Sequence, residues 1–155
     1  DYKGFLVLNT LLGGYFGSRL MKNIREEKGY TYGIGSGANS GRNGSYFFVS
    51  SDLKKEVYEE AIDEIFKEFD RLKNETVSEL ELNTVKNYLS GNMLRNFDGL
   101  YNQADRYLSV EEYGLNSDYY LELFKTIKKI TASEIQILAQ KYLNKEDMSI
   151  VVSGV

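Results

Sequence analysis

The sequence contains no histidine and no cysteine, and these two absences exclude the commonest hydrolytic centres. Hydrolytic zinc sites nearly always use imidazole ligands, and a serine or cysteine nucleophile normally relies on a histidine base. A disulfide scaffold and a thiolate metal site are excluded as well. A hydrolase made from this chain alone would have only carboxylates, Lys, Tyr or Arg. We therefore expect no metal ligand and no complete catalytic centre in it.

Proline is also absent, and the sequence has no low-complexity linker, no basic block and no apolar run near the length of a membrane span. Its 155 residues, 42% hydrophobic and with a net charge of −4, fit one soluble domain covering residues 1–155. We expect no nucleic-acid partner and no membrane span. The compartment stays open between the bacterial periplasm and cytoplasm.

The start of the chain resembles a cut. Asp1 directly precedes an apolar periodic run, with no initiator Met and no targeting segment. We expect a fragment of a longer protein, and a proteolysed or redesigned chain is the alternative.

Apolar spacing predicts a mostly helical chain that contains one strand hairpin. The predicted helices begin with Asp1 as an N-cap and with capping boxes at Thr76 and Thr131. They run from Phe5 to Leu12, Ser18 to Lys28, Val57 to Leu72, Leu80 to Met93, Leu100 to Val110, Asp118 to Lys129, and Ile135 to Tyr142. Gly13-Gly14 and Gly29 are the predicted ends of the first two helices.

Alternation with a period of two predicts strands. Tyr30, Tyr32 and Ile34 should share one face, opposite Thr31, Gly33, Gly35 and Gly37. A second strand from Ser45 to Ser50 should follow a loop from Asn39 to Gly44, in which Asn43-Gly44 favours a hairpin. Met148 to Val152 reads as a short buried strand. Runs of helices between strands indicate an α+β layer with an antiparallel-rich sheet and helices packed on it.

Two glycine-rich runs resemble nucleotide loops but lack the residues that such loops need. The run from Gly13 to Arg19 has no Lys-Ser/Thr, and the run from Gly33 to Gly37 lacks dinucleotide spacing. We expect no nucleotide cofactor. The bare face of Gly33, Gly35 and Gly37 should instead let another backbone pack closely. Glutamates such as Glu64 should lie on the solvated face of their helix.

Arg25 and Tyr32 remain as candidate ligand-binding residues, on the two sides of a predicted helix–Gly29–strand corner. A guanidinium and a phenol at one mouth could bind a peptide carbonyl and the oxyanion that it becomes. Two simpler explanations stay open: Arg25 could stabilise the helix C-terminus, or pair with Glu26 or Glu27.

The segment that contains both residues resembles a motif of the C-terminal domains of insulinase/pitrilysin-type zinc peptidases, which include mitochondrial processing peptidase and its bacterial relatives. The matching runs are Leu12-Gly13-Gly14, Ser18-Arg19-Leu20 and Arg25-Glu26-Glu27-Lys28-Gly29-Tyr30-Thr31-Tyr32. Weaker similarity in 76–94 and 130–143 extends the resemblance over nearly the whole chain.

This resemblance implies a metallopeptidase-like α+β domain, the non-zinc half of a larger peptidase, that lacks the strand normally preceding its first helix. Family members carry H-x-x-E-H in the other half, so zinc is expected in a partner domain or subunit. The implied function is a substrate-positioning half of a zinc metalloendopeptidase, inactive alone, in which Arg25 and Tyr32 contact the peptide and stabilise the oxyanion. The alternatives are a catalytically inactive structural or partner subunit that keeps the fold, and a free-standing peptide-binding domain.

Overall fold

Six α-helices and one antiparallel pair of strands form most of the computed structural model, which describes residues 1–41 and 44–154. The helices are α1 (Tyr2–Leu12), α2 (Tyr58–Asn74), α3 (Glu79–Asn96), α4 (Leu100–Glu112), α5 (Tyr119–Lys129) and α6 (Ala132–Tyr142), and the strands are β1 (Thr31–Gly41) and β2 (Gly44–Leu53). A π-helix (Met21–Glu27) precedes β1, and 3₁₀ turns occupy Lys55–Val57 and Lys145–Asp147. The predicted α+β class with helices packed on antiparallel strands is confirmed.

Helix α1 lies at the centre, where it packs against α3, α5, α6 and β1. Its predicted inward residues are buried, and so are Val7, Asn9 and Thr10 on its other side. Burial all round is typical of a core helix, whereas a surface helix buries one stripe. Each fully buried leucine or valine contributes about 1.5–3 kcal/mol, so Val7, Leu8, Leu11 and Leu12 make α1 a substantial contributor to core stability.

Gly13 ends α1 as predicted, and it also provides a close approach to β1. Its carbonyl accepts a hydrogen bond from the Ser36 N–H at 3.1 Å, and the Ser36 hydroxyl donates to the buried Asn9 side chain at 2.8 Å. The Gly13 carbonyl also lies 3.6 Å from where a Gly35 Cβ would stand. The expectation that another backbone packs on the glycine face of β1 is therefore confirmed at Gly35.

The second predicted helix is present, but most of it is wound as a π-helix. Lys28 donates its N–H to the Asn23 carbonyl at 2.9 Å, five residues back, and Tyr30 donates to the Ile24 carbonyl at 3.0 Å. Gly29 follows with φ +66°, the left-handed conformation predicted for it. The wide last turn thus changes directly into β1.

Strands β1 and β2 pair antiparallel from Gly41↔Gly44 back to Thr31↔Leu53, with a register shift between Thr31 and Ile34. The prediction that Tyr30, Tyr32 and Ile34 share one face fails between Tyr32 and Ile34, because the register shifts there and Tyr32 is 98% exposed whereas Ile34 is buried. A bulge adds a residue to one strand and breaks the alternation. The strands extend further into the predicted loop than expected, and Asn43 of the hairpin signal lies outside the described residues.

The start of α3 differs from its prediction. Ser78, not Thr76, is the N-cap, and its hydroxyl accepts from the Glu81 N–H at 3.2 Å. The capping box at the start of α6 is confirmed: Thr131 and Glu134 bond each other's backbone N–H groups.

The predicted strand from Met148 to Val152 is wrong, since no strand is formed there. The segment faces β2 and α2 across a cavity of about 630 Å³, and Ile150 and Val151 are exposed. An apolar run becomes a strand only where a sheet edge accepts its backbone, and no hydrogen-bonded ladder joins this segment to β2. None of the described helices combines the length and apolarity needed to cross a bilayer.

Candidate functional site

Arg25 lies in the last turn of the π-helix, half-buried, and two neighbours orient it. Its Nε–H donates to the Tyr32 backbone carbonyl at 2.9 Å, and its guanidinium carbon stands 4.7 Å from the centre of the Phe16 ring. This is a cation–π arrangement. Arg25 forms no ion pair with Glu26 or Glu27 in the described structure, so that simpler explanation is wrong.

The Arg25 side chain contacts the backbone of Tyr32 and forms no hydrogen bond with its phenol in the described structure. The phenol of Tyr32 projects into solvent and forms no hydrogen bond with the described residues. Nor does any such bond involve Nη1 or Nη2 of Arg25 within that part of the chain. The result is an oriented cation with four N–H donors left over, bonded to the backbone of a residue whose phenol is exposed.

Phe16 belongs to this site, and the sequence analysis did not identify it. It lies in the loop between α1 and the π-helix and is 65% exposed, with one face covered by Arg25. The signal that could have found it is a large aromatic residue between the glycines of the run from Gly13 to Gly17, because a turn of this kind does not need one for folding.

Two contacts hold this loop in place. Tyr15 stacks on Tyr88 of α3 with ring centres 4.9 Å apart, and Arg19 binds the Glu81 carboxylate through Nε and Nη2, both at 2.9 Å. Burial, and then the charge of Glu81, raise the pKa of the Tyr15 phenol above its ordinary value. Of the two contacts, the Arg19–Glu81 pair fixes the orientation of the loop more strictly, because its two parallel hydrogen bonds require one relative geometry.

Behind the π-helix lies a buried polar cluster, and one of its members, Glu64, was wrongly expected on the solvated face of its helix. Glu64 and Glu68 of α2 are 8% and 3% exposed, and both accept hydrogen bonds from the Asn23 side-chain amide, at 3.1 and 2.7 Å. A hydrogen bond from Lys67, and others that include Asn23, lower the pKa of Glu64 to about 2. An Asn beside the inward Ile24 was the available signal, because a buried amide requires partners.

The donor set of the described residues does not fit a zinc ion. They contain no histidine or cysteine, and no group of three or more Asp or Glu side chains is placed to hold a metal. No step of peptide hydrolysis that needs a metal is assigned to this chain.

Comparison with known proteins gives concordant matches. A family model described as the peptidase M16 inactive domain matches residues 1–89. The curated protein named probable inactive metalloprotease YmfF, from Bacillus subtilis (strain 168), is 28% identical over 105 residues, which is 68% of this chain and 24% of that protein.

Two solved structures have a similar fold. A peptidase M16 inactive domain from Pseudomonas fluorescens is 26% identical with a TM-score of 0.81, and covers 93% of this chain and 34% of its own. A protease from Helicobacter pylori is 15% identical with a TM-score of 0.82, and covers 92% and 34%. The chain therefore spans about a quarter of the curated relative and a third of each of these structures.

Proposed function

On the premise that the chain belongs to the family of peptidase M16 inactive domains, we propose that it is the substrate-positioning half of a zinc-dependent metalloendopeptidase. Zinc would be held by another domain or subunit of that enzyme. Family membership confirms the resemblance read from Leu12 to Tyr32. The observation that carries the proposal is the setting of Arg25, which is oriented by Phe16 and by the Tyr32 carbonyl while its Nη groups face no internal acceptor.

The chemistry assigned to this half is binding and charge stabilisation. The Nη donors of Arg25 bind the carbonyl oxygen of an extended peptide, and they bind it more strongly as negative charge develops on that oxygen. The phenol of Tyr32 supplies a further donor from the solvent side. Because donors fixed before the reaction need no reorganisation, the contacts that hold Arg25 increase its effect.

The test uses the longer protein that carries this chain together with its zinc-bearing half, and a quenched-fluorescent peptide library as substrate. Arg25→Ala should lower kcat about 100-fold, because loss of one oxyanion donor costs roughly 10²–10³ in rate. Zinc content should stay unchanged. Lys22→Ala removes an exposed cation from the same π-helix and serves as the matched control. Wild-type turnover by Arg25→Ala would sink the assignment.

The second candidate is an inactive structural or partner subunit that retains the fold, and the name of the Bacillus subtilis relative, which contains the word inactive, favours it. The first candidate requires an H-x-x-E-H motif in another part of the protein or in a partner subunit, whereas the second does not. Reading the rest of the open reading frame and its neighbour for that motif separates them, and its absence from both supports the inactive subunit. Metal analysis of the purified assembly gives a direct check.

A further inference from the structure

Three buried polar residues behind the site have no part in the chemistry described above. Glu64 and Glu68 lie one helical turn apart on the same face of α2, and their carboxylates converge on the side-chain amide of Asn23. The amide nitrogen lies 3.1 Å from Glu64 Oε2 and 2.7 Å from Glu68 Oε1. Asn23 is 4% exposed, so no water competes for these bonds along most of its surface.

The cluster is built around the donors of Asn23. The amide oxygen of the same side chain is buried and has no partner among the described residues. An unpaired buried acceptor costs free energy, so the side chain is held in this orientation by what its nitrogen gains. Hydrogen bonds to ionised carboxylates are about twice as strong as neutral ones, which accounts for that preference.

Both carboxylates are also charge-compensated. Lys67 lies 2.7 Å and Lys28 3.6 Å from Glu64 Oε1, and Arg71 lies 2.6 Å from Glu68 Oε1. Buried carboxylates are tolerated where such cations and hydrogen bonds compensate them. Glu64 and Glu68 therefore form a charge-compensated anchor for Asn23 on α2.

The anchor contacts the chain on both sides of the turn that carries Arg25. Glu64 contacts Asn23, two residues before Arg25, and also Lys28, one residue past the end of the π-helix. The two contacts bracket the wide turn that carries Arg25. The backbone carbonyl of Asn23 also accepts the Lys28 N–H that closes this turn.

We propose that Asn23, Glu64 and Glu68 are positioning residues, which fix the π-helical turn so that Arg25 Nε–H stays bonded to the Tyr32 carbonyl and the Nη groups face the peptide. This inference rests on the proposed function for its consequence in catalysis. Its structural content, the dependence of the Arg25–Tyr32 bond on the α2 anchor, is measurable without any substrate.

The first experiment follows water exchange of the Arg25 Nε–H by NMR in the ¹⁵N-labelled 155-residue chain. Asn23→Asp keeps the shape but sets a third carboxylate against the other two, and we expect Arg25 Nε–H exchange to rise about tenfold, the equivalent of one charged hydrogen bond. Arg19 Nε–H, bonded to Glu81, is the internal reference and should not change. Glu60→Gln neutralises an exposed carboxylate of the same helix as the matched control.

A reciprocal variant keeps the test decisive if Asn23→Asp does not fold. Glu68→Gln alone should also raise exchange, and Asn23→Asp combined with Glu68→Gln should restore the part of the protection that the 23–68 contact supplies, because donor and acceptor are exchanged in that pair while Glu64 still lacks its donor. Unchanged Arg25 exchange in a folded Asn23→Asp or Glu68→Gln chain would overturn the proposal.

The catalytic consequence is tested separately in the longer protein. Glu68→Gln should lower kcat with little change in KM, and the double variant should recover it, as expected for a group that acts through Arg25 in the transition state. If Arg25 exchange rises while kcat is unchanged, the proposed function fails and the anchor stands. If Arg25 exchange is unchanged, the anchor fails whatever the activity.

Discussion

Replacing Gly13 by Ala tests how closely α1 must approach the strand that carries Tyr32. A Cβ at this position would lie 2.5 Å from Ser36 Oγ and 2.7 Å from Ser36 N, well inside van der Waals contact. Overpacking of this kind costs about 1–3 kcal/mol, and the displaced hydrogen bond from Ser36 N–H to the Gly13 carbonyl adds about 0.5–1.5 kcal/mol. The expected loss of unfolding free energy is therefore about 2–4 kcal/mol. Its cause is steric and not backbone strain, because Gly13 has φ −154°, an extended conformation that alanine also adopts.

The assay is urea and thermal unfolding of the chain followed by circular dichroism. At about 2–4 °C per kcal/mol for a chain of this size, Gly13→Ala should lower Tm by roughly 5–15 °C. Gly33→Ala is the matched control, since it lies in the same strand as Ser36 and its Cβ would meet nothing within 4 Å. Its stability should stay within about 0.5 kcal/mol of wild type. A Gly13→Ala chain as stable as the Gly33→Ala chain would refute the close-approach argument.

Two further predictions concern charge and capping. The hydrogen bond from Lys67 chiefly holds the pKa of Glu64 at about 2, below its ordinary 4.5, so the stability that this carboxylate contributes is complete above pH 4.5 and is lost as pH falls towards 2. The urea midpoint of Glu64→Gln should therefore fall less steeply over that window than that of a Glu60→Gln control, and equal slopes would contradict the assignment. Ser78→Ala should cost about 1 kcal/mol in urea unfolding whereas Thr76→Ala costs little, and the reverse order would restore Thr76 as the N-cap.

Features set by neighbouring residues could be predicted from the sequence, and the ends of helices are the clearest case. Gly29 ends its helix through its own left-handed φ, and the capping box at the start of α6 joins Thr131 to Glu134, which are close in the sequence. At the start of α3 the predicted signal was Thr76, whereas the structure uses Ser78, whose hydroxyl accepts from the Glu81 N–H. The Glu81 side chain also binds Arg19 from 62 residues away, and no local pattern contains that contact.

Features set by distant partners could not be predicted in this way. Glu64 borders the apolar stripe of α2 and looked solvated, yet it is buried because Asn23 reaches it from 41 residues earlier. The apolar run from Met148 to Val152 pairs with no described strand, which its own composition does not reveal. Likewise the bulge that turns Tyr32 outward is a property of the β1–β2 register, not of the alternation in β1 alone.

The pairing of Arg25 with Tyr32 places different demands on the two residues. Arg25 Nε–H bonds a backbone carbonyl, which any residue at position 32 would supply, so this contact does not require a tyrosine. The tyrosine ring is 98% exposed and gains almost nothing from burial within the chain. Folding therefore accounts for the place of Arg25 and for the backbone of Tyr32, and it leaves the phenol unexplained. Under the function proposed above, a peptide from outside the chain would use the two groups that the described fold leaves without a partner, the Tyr32 phenol and the Arg25 Nη donors.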